Sequence, residues 1–394
     1  MKVGFVGDPH YSGSQSFGGT DSATQLNTRL LDFSTTFNNI IDEFERRDVK
    51  VVAIVGDNFD TRYPSPQVVK LFSQDLQRAA DKGMTVLLLA GNHDQLRTTA
   101  TTTIDVYNAL TLPNIKSFPD FAIYTVGNVN FIMMPYRDKK MMDVSKTKQE
   151  ATDKIKEKID ALSVGLKGKK ICMGHYMVGE TVAGDEQTFS IDELVLPLST
   201  FDGFDATFIG HIHTYKILQK NPPIIYVGSM EKITMGDRLT QKVSIVLDTD
   251  TMDMEIIPTK TRDLFEIDLN YADGDKYYKA LITDQVIADI EEFGEKNVLE
   301  GAIIKLTARV KENDSYFVDQ DRIREYITKK KVSYLSPLQV STITNRKLRN
   351  KNITETVDSK KAMSAFIRGL TEPENTKKKL LDFANKIIEQ VEGK

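Results

Sequence analysis

Short apolar runs alternate with longer segments of helical periodicity over the first two-thirds of the chain. Several runs are nearly continuous in apolar residues, which is typical of strands buried on both faces of a sheet. We therefore predict strands at 2–7, 49–56, 84–91, 169–174, 206–210 and 224–228.

Apolar residues recur at helical spacing between several of these runs. One stripe consists of Phe33, Phe37, Ile40, Ile41 and Phe44, and another of Val68, Val69, Phe72, Leu76 and Ala79. A third helix is predicted over 146–164. The segments 124–136 and 241–259 have the pattern of β-hairpins, so the fold class is α/β with a mixed sheet.

Composition narrows the class of protein. A chain of 394 residues is too long for one core, so two or three domains are expected. The single cysteine, Cys172, excludes an internal disulfide framework, and we expect a soluble cytoplasmic protein with no membrane partner. A net charge of −4 argues against a free-standing basic nucleic-acid binder, although local patches can bind phosphate.

The predicted strands end in glycine followed by Asp, Asn or His. The sequences are GDPH (7–10), GDNFD (56–60), GNHD (91–94), GHY (174–176) and GHIH (210–213). All five histidines of the chain lie in these segments. Because open α/β sheets place ligands at the carboxyl ends of their strands, we expect these side chains to converge on one crevice.

Imidazole and carboxylate groups together suit manganese, iron or zinc, whereas an all-oxygen cage suits calcium or magnesium. One histidine after a strand is usually an ordinary core or surface residue. Histidines at five such positions, beside Asp or Asn, favour a metal centre. Asp60 has two interpretations, as a group supporting the centre or as a solvated turn residue.

The motifs D-x-H, G-D, G-N-H-D, H and G-H-x-H, in that order, resemble the calcineurin-like metallophosphoesterases over about residues 1–260. The resemblance implies a layered α/β/β/α core and two divalent metal ions, which we expect to be manganese. It implies that one ion is held by Asp8, His10, Asp57 and His213. It implies that the other is held by Asp57, Asn92, His175 and His211, with Asp57 bridging.

The resemblance also assigns catalytic roles to two residues that are not ligands. His93 is expected to face the phosphate and to stabilise charge or protonate the leaving oxygen, with Asp94 orienting its ring. Water activated by the metals is expected to attack phosphorus in line.

The motifs alone do not choose among phosphatases, cyclic-nucleotide phosphodiesterases, nucleotidases and nucleases. Residues 27–60, with Arg29 and Asp32, and residues 224–248 resemble the SbcD/Mre-eleven type of DNA-repair nuclease. This implies an exonuclease, with endonuclease activity as a further option, in an SbcC–SbcD-like complex of DNA repair, recombination and replication. The alternatives are a phosphatase or cyclic-nucleotide phosphodiesterase, and a non-enzymatic scaffold on a decayed fold.

The remaining chain predicts two further domains after the nuclease domain at 1–260. In residues 261–345 we predict strands at 264–269, 302–310 and 334–343 and helices at 276–293 and 320–331. This pattern resembles the capping domain of that nuclease family.

Residues 346–394 carry 12 basic and 7 acidic residues, a net charge of +5. A linker at 345–361 is followed by two amphipathic helices. The first contains Met363, Phe366, Ile367 and Leu370, and the second Leu380, Leu381, Ala384, Ile387, Ile388 and Val391. The resemblance implies that this tail docks on an SbcC-type coiled-coil ATPase, and the alternative is that it packs on its own domain.

The resemblance further implies a homodimer formed by helices near 65–82 and 98–110. The apolar stripe at Val68, Phe72 and Leu76 has two interpretations, as part of that surface or as core.

Overall fold

The computed structural model describes residues 1–13, 17–96, 101–142, 147–179, 192–272, 281–343, 359–368 and 373–392. The chain forms two compact units. One comprises Met1–Leu269, Thr283–Thr307 and Asp319–Gln339, and the other Asn270–Ile282, Ala308–Val318 and Val340–Lys394. The division into functional domains at 260 and 345 stays a prediction.

The described part of the first 260 residues contains fourteen strands. They are β1 (Lys2–Val6), β2 (Val49–Ile54), β3 (Thr85–Leu89), β4 (Ile115–Phe118), β5 (Ala122–Val126), β6 (Val129–Met134), β7 (Lys169–His175), β8 (Met177–Val178), β9 (Val195–Leu196), β10 (Ala206–Gly210), β11 (Lys216–Lys220), β12 (Pro223–Tyr226), β13 (Val243–Asp248) and β14 (Met254–Pro258). The helices are α1 (Thr28–Arg46), α2 (Pro66–Asp81), α3 (Asp105–Ala109) and α4 (Lys148–Ser163).

Two mixed six-stranded sheets form from these strands. The first has the order β14-β13-β1-β2-β3-β4, and the second β11-β12-β10-β7-β6-β5. In the first sheet β1 to β4 run parallel and β13 and β14 are antiparallel. In the second, β6, β7, β10 and β12 run parallel, with antiparallel strands at both edges. The predicted mixed α/β fold is confirmed.

The two sheets pack face to face around an apolar layer. At its centre the rings of Phe5 and Phe208, one from each sheet, stack with centroids 3.6 Å apart. The other face of the first sheet packs against α1 and α2, and the other face of the second against α4. Both faces of the central strands are therefore buried, which explains their nearly continuous apolar sequences.

The helices begin where the sequence offers capping groups. Asn27 accepts a hydrogen bond from the backbone N–H of Arg29, and Thr147 and Glu150 form a capping box at the start of α4. The stripe at Val68, Phe72 and Leu76 is buried in the core. It is therefore not available as the surface of a homodimer.

A third sheet has the order β15 (Leu264–Asn270), β16 (Ile303–Lys311) and β17 (Tyr334–Leu335). The helices α5 (Ile282–Lys296) and α6 (Gln320–Lys329) follow the predicted pattern. The single strand predicted at 334–343 is instead β17 and β18 (Gln339–Ile343), with Pro337 between them. Proline has no backbone N–H to donate, so it interrupts a strand.

The tail contains α7 (Ser359–Arg368) and α8 (Glu374–Glu392), as the amphipathic pattern predicted. Several predicted features fall outside the described residues. They are most of the linker at 345–361, the helical positions 276–280, 98–100 and 146, Leu370, and the side chains of Ile387, Ile388 and Val391. None of the described helices is long and apolar enough to cross a membrane.

Candidate metal centre

The predicted ligands converge at one edge of the two-sheet core, because five parallel strands end there. Strands β1, β2 and β3 of the first sheet and β7 and β10 of the second carry them. Asp8 and His10 follow β1, Asp57 follows β2, Asn92 follows β3, His175 ends β7, and His211 and His213 follow β10.

Four of these residues have left-handed backbone. The φ angle is 42° at Asp8, 45° at His10, 45° at Asp57 and 92° at His211. Non-glycine residues rarely adopt positive φ, and such strain clusters at functional sites. Hydrogen bonds between the turns stabilise this backbone conformation. One of them runs from the backbone N–H of His10 to the carbonyl oxygen of Asp57 and is 3.0 Å long.

Glycines before the ligands are required by close approach. A Cβ atom at Gly91 would lie 2.1 Å from the Asp57 carboxylate oxygen Oδ1. At Gly56, where φ is +104°, a Cβ atom would lie 2.1 Å from the His175 nitrogen Nδ1. Any larger residue at either position would displace a candidate ligand.

Asp8, His10 and His213 form what we call the His10 half of the site. The Nε2 atoms of His10 and His213 are 3.1 Å apart, and His10 Nε2 lies 3.5 Å from Asp57 Oδ2. Among the described residues, the buried oxygen Oδ2 of Asp8 has no hydrogen-bond partner. Outside this group, the carboxylate of Asp60 lies 3.5 Å from His10 Nδ1.

Asn92, His175 and His211 form the His175 half. The Asn92 side-chain oxygen lies 2.9 Å from His175 Nε2 and 3.0 Å from His211 Nδ1. His175 Nε2 also lies 3.4 Å from Asp57 Oδ2. The same oxygen of Asp57 therefore faces both halves, as a bridging ligand requires.

The donor groups fit divalent cations. Two sets of three side chains, Asp8 with His10 and Asp57, and Asp57 with His175 and His211, each offer ligand atoms within 4.8 Å of one another. A buried carboxylate oxygen with no hydrogen-bond partner costs free energy unless a cation compensates it. Mixed imidazole and carboxylate ligands suit borderline divalent ions. The assignment of each ligand to one ion stays a prediction.

The electrostatics of the centre are set by burial and by close charges. Burial raises the pKa of Asp8. Burial also acts to raise the pKa of Asp57, but the nearby imidazoles, above all His175, bring that pKa well below its ordinary value. Burial disfavours the cationic form of His175, but Asp57 and Asp8 raise its pKa to about 9. Burial and nearby His10 lower the pKa of His213 well below its ordinary value.

The structure corrects the role expected for Asp94. The ring nitrogen Nδ1 of His93 lies 2.6 Å from the backbone carbonyl oxygen of Asp60, so the Asp60 main chain orients the ring. The Asp94 carboxylate instead accepts hydrogen bonds from the backbone N–H groups of Gly91 and Asn58. It holds the two turns that carry Asp57 and His93.

Two buried supports were missed from the sequence. Glu193 places a carboxylate oxygen 2.5 Å from His211 Nε2, on the opposite side of the ring from Asn92. The Lys242 ammonium donates to the backbone carbonyl of His213 at 2.8 Å and pairs with Asp237 at 2.5 Å. Asp237 and Lys242 of the second support lie in 224–248, a segment that carries the resemblance to the nucleases, but no motif marked Glu193.

A buried cluster of imidazoles and carboxylates at this edge of an α/β core is typical of a metal centre. The model of the calcineurin-like phosphoesterase family matches residues 1–215, and the chain belongs to this family. Family membership and the ligand clusters together support a site for two divalent metal ions.

Two solved structures show weaker similarity. A dimetal phosphatase from Danio rerio is 13% identical over 66% of this chain and 96% of its own, with a TM-score of 0.42. A cold-active protein-tyrosine phosphatase of a Shewanella species is 17% identical over 65% of this chain and 80% of its own, with a TM-score of 0.30. Similarity at this level carries no argument about substrate.

Proposed function

We propose that the protein is a manganese-dependent DNA nuclease of the SbcD/Mre-eleven type, which hydrolyses phosphodiester bonds as an exonuclease and endonuclease. One observation carries the proposal. The residues that give the chain its resemblance to these nucleases form a connected buried network behind His213.

The network begins in α1. Arg29 pairs with Asp32 at 3.1 Å and with Glu231 at 3.0 Å, and all three side chains are buried. The loop that carries Glu231 continues to the site, since Ser229 N–H donates to the His213 carbonyl at 3.1 Å. Lys242 holds the same carbonyl. The two nuclease-like segments thus support one turn of the metal centre, which gives their joint presence a physical reason.

The side chains provide the groups that phosphodiester hydrolysis needs. When bound, two divalent ions lower the pKa of water and neutralise charge on the phosphate. The Asp60 carbonyl can only accept a hydrogen bond, so Nδ1 of His93 donates to it. The doubly protonated ring would then deliver its Nε2 proton to the leaving oxygen and become neutral. The backbone N–H of His93 donates to Asp57 Oδ1 at 2.8 Å, which ties this acid to the shared ligand.

The experiment compares substrates under one condition. The purified protein is loaded with manganese and assayed on linear duplex DNA, a bis-aryl phosphodiester, an aryl phosphomonoester and a cyclic nucleotide. We expect cleavage of DNA and of the diester. His93→Ala, purified in parallel, is the control for contaminating nuclease. Preference for the monoester or the cyclic nucleotide, with DNA left intact, would favour the phosphatase or cyclic phosphodiesterase alternative.

We extend the proposal to an SbcC-type ATPase that binds the tail. Apolar side chains on both tail helices are exposed, among them Phe366 at 52% and Phe383 at 65%. Burying a large apolar side chain contributes about 1.5–3 kcal/mol before the cost of association. The packing of the tail on its own domain stays open as the alternative.

The docking test uses co-purification with the ATPase from the same genome. Deletion of 359–394 and the single change Phe383→Asp should both abolish it, whereas Thr376→Asp, at an exposed polar position of α8, should not. The deletion should leave hydrolysis of the small diester unchanged, because every candidate ligand precedes residue 214. Unchanged ATPase binding by the deleted protein would contradict the docking role.

We also propose that the protein forms a homodimer and that it is located in the cytoplasm. Because the α2 stripe is core, the remaining apolar candidates in this region are exposed Val106 and Leu110, in and after α3. Light scattering at micromolar concentration should give twice the chain mass. A monomeric mass would contradict it.

A further inference from the structure

Arg62 differs from other buried and half-buried arginines of the first unit. Arg29, Arg78 and Arg137 each pair with a carboxylate. Arg62 is half-buried, yet no carboxylate of the described residues lies within ion-pair distance of it. Its Nε atom is buried and has no hydrogen-bond partner among the residues that the structure describes. A shielded cation without a partner is costly unless a ligand supplies the anion.

The position of Arg62 places that charge at the metal centre. It follows the turn that carries Asp57 and Asp60 and precedes α2. Its Nη2 atom lies 3.4 Å from the backbone carbonyl oxygen of Asn92, the residue between Gly91 and His93 on the turn after β3. The guanidinium therefore lies beside two of the segments that supply ligands and the proposed acid.

We propose that Arg62 binds a non-bridging oxygen of the substrate phosphate. A guanidinium offers several N–H donors in a planar fork that matches phosphate geometry, and hydrogen bonds between two charged groups are the strong ones. One weak contact to Asn92 leaves most of these donors available for a substrate. The inference rests on the proposed phosphodiesterase function, but it does not require that the diester be DNA.

The test measures phosphate binding separately from catalysis. Arg62→Ala and Arg62→Lys are compared with Arg46→Ala, which removes an exposed arginine paired with Glu43. Orthophosphate affinity of the manganese-loaded protein is measured by calorimetry, and KM is measured with the small diester. Arg62→Ala should weaken orthophosphate binding and raise KM by about 10- to 100-fold, the usual scale for a hydrogen bond to a charged group. Arg62→Lys should fall between Arg62→Ala and the wild type, because it keeps the charge but loses the fork.

Metal content decides between substrate binding and structural support. Both Arg62 variants should retain two ions, and Arg46→Ala should behave as wild type. Loss of an ion in both variants, or unchanged orthophosphate affinity in both, would overturn the role of Arg62. If Arg62→Ala does not fold, the metal content and orthophosphate affinity of Arg62→Lys decide the question. Failure to cleave DNA with intact diester activity would count against the nuclease and leave this result standing.

Discussion

The two halves of the metal centre are built differently. In the His175 half, one oxygen of Asn92 lies within hydrogen-bond distance of both imidazoles. In the His10 half, two imidazole nitrogens face each other at 3.1 Å.

The surrounding supports of the two halves also differ. In the His175 half, Glu193 and the Val55 carbonyl, at 2.9 Å from His175 Nδ1, contact the rings directly. In the His10 half, the Asp60 carboxylate lies 3.5 Å from His10 Nδ1, and Lys242 holds His213 through its main chain and not through its ring. Groups that contact the far side of a ligating ring fix its tautomer and orientation. We therefore expect the two halves to respond to different mutations.

Asp57→Ala should have the largest effect, because it removes the oxygen that both halves share. We expect both ions and all hydrolysis of the small diester to be lost. Metal content by mass spectrometry and the diester rate are the measurements, and Asp48→Ala, an exposed aspartate paired with Lys50, is the control. Two tightly held ions in the variant would show that Asp57 is not the bridge.

His93→Ala should have the next largest effect and spare both halves. Loss of a positioned acid lowers rates by roughly 10²–10⁴-fold. We expect a decrease of that size in the rate of diester hydrolysis, with two ions still bound. An accompanying loss of metal would place His93 among the ligands and contradict the division of roles.

Glu193→Ala should distinguish the halves. The loss of a carboxylate behind a ligating histidine lowers metal affinity by about 10- to 100-fold. We expect this for one of the two ions in a manganese titration followed by electron paramagnetic resonance. Glu193→Gln keeps an acceptor oxygen and should restore most of the affinity. An equal decrease for both ions would argue against separate halves.

Removal of the Lys242 support of the His10 half should have the smallest effect on metal binding. We propose the double variant Lys242→Met with Asp237→Asn, so that no unpaired carboxylate stays buried. Loss of one hydrogen bond to the His213 carbonyl should weaken the other ion by about 3- to 10-fold. Arg46→Ala, which removes an exposed basic residue paired with Glu43, is the control. If Glu193→Ala and the double variant weaken the same ion, the comparison fails.

The spacing of apolar and polar residues predicted the buried strands and the convergence of the ligand residues, whereas the layered arrangement was implied only by the family resemblance. Strands buried on both faces have apolar runs, and the parallel strands that precede the ligands end at one edge. The edge strand β11 escaped prediction because Lys216, Gln219 and Lys220 give it no apolar run. The support of the rings also escaped, since it depends on how distant turns meet. Asp94 follows His93 directly, yet the ring contacts the main chain of Asp60.

The left-handed backbone of Asp8, His10, Asp57 and His211 lowers the stability of the fold at the residues expected to bind the metals. Each such residue costs on the order of 1–3 kcal/mol that a glycine would not incur. Selection for thermal resistance alone would therefore favour glycine at these positions and remove the ligands. A more thermostable variant is better sought by replacing exposed apolar side chains away from the metal centre, such as Val298.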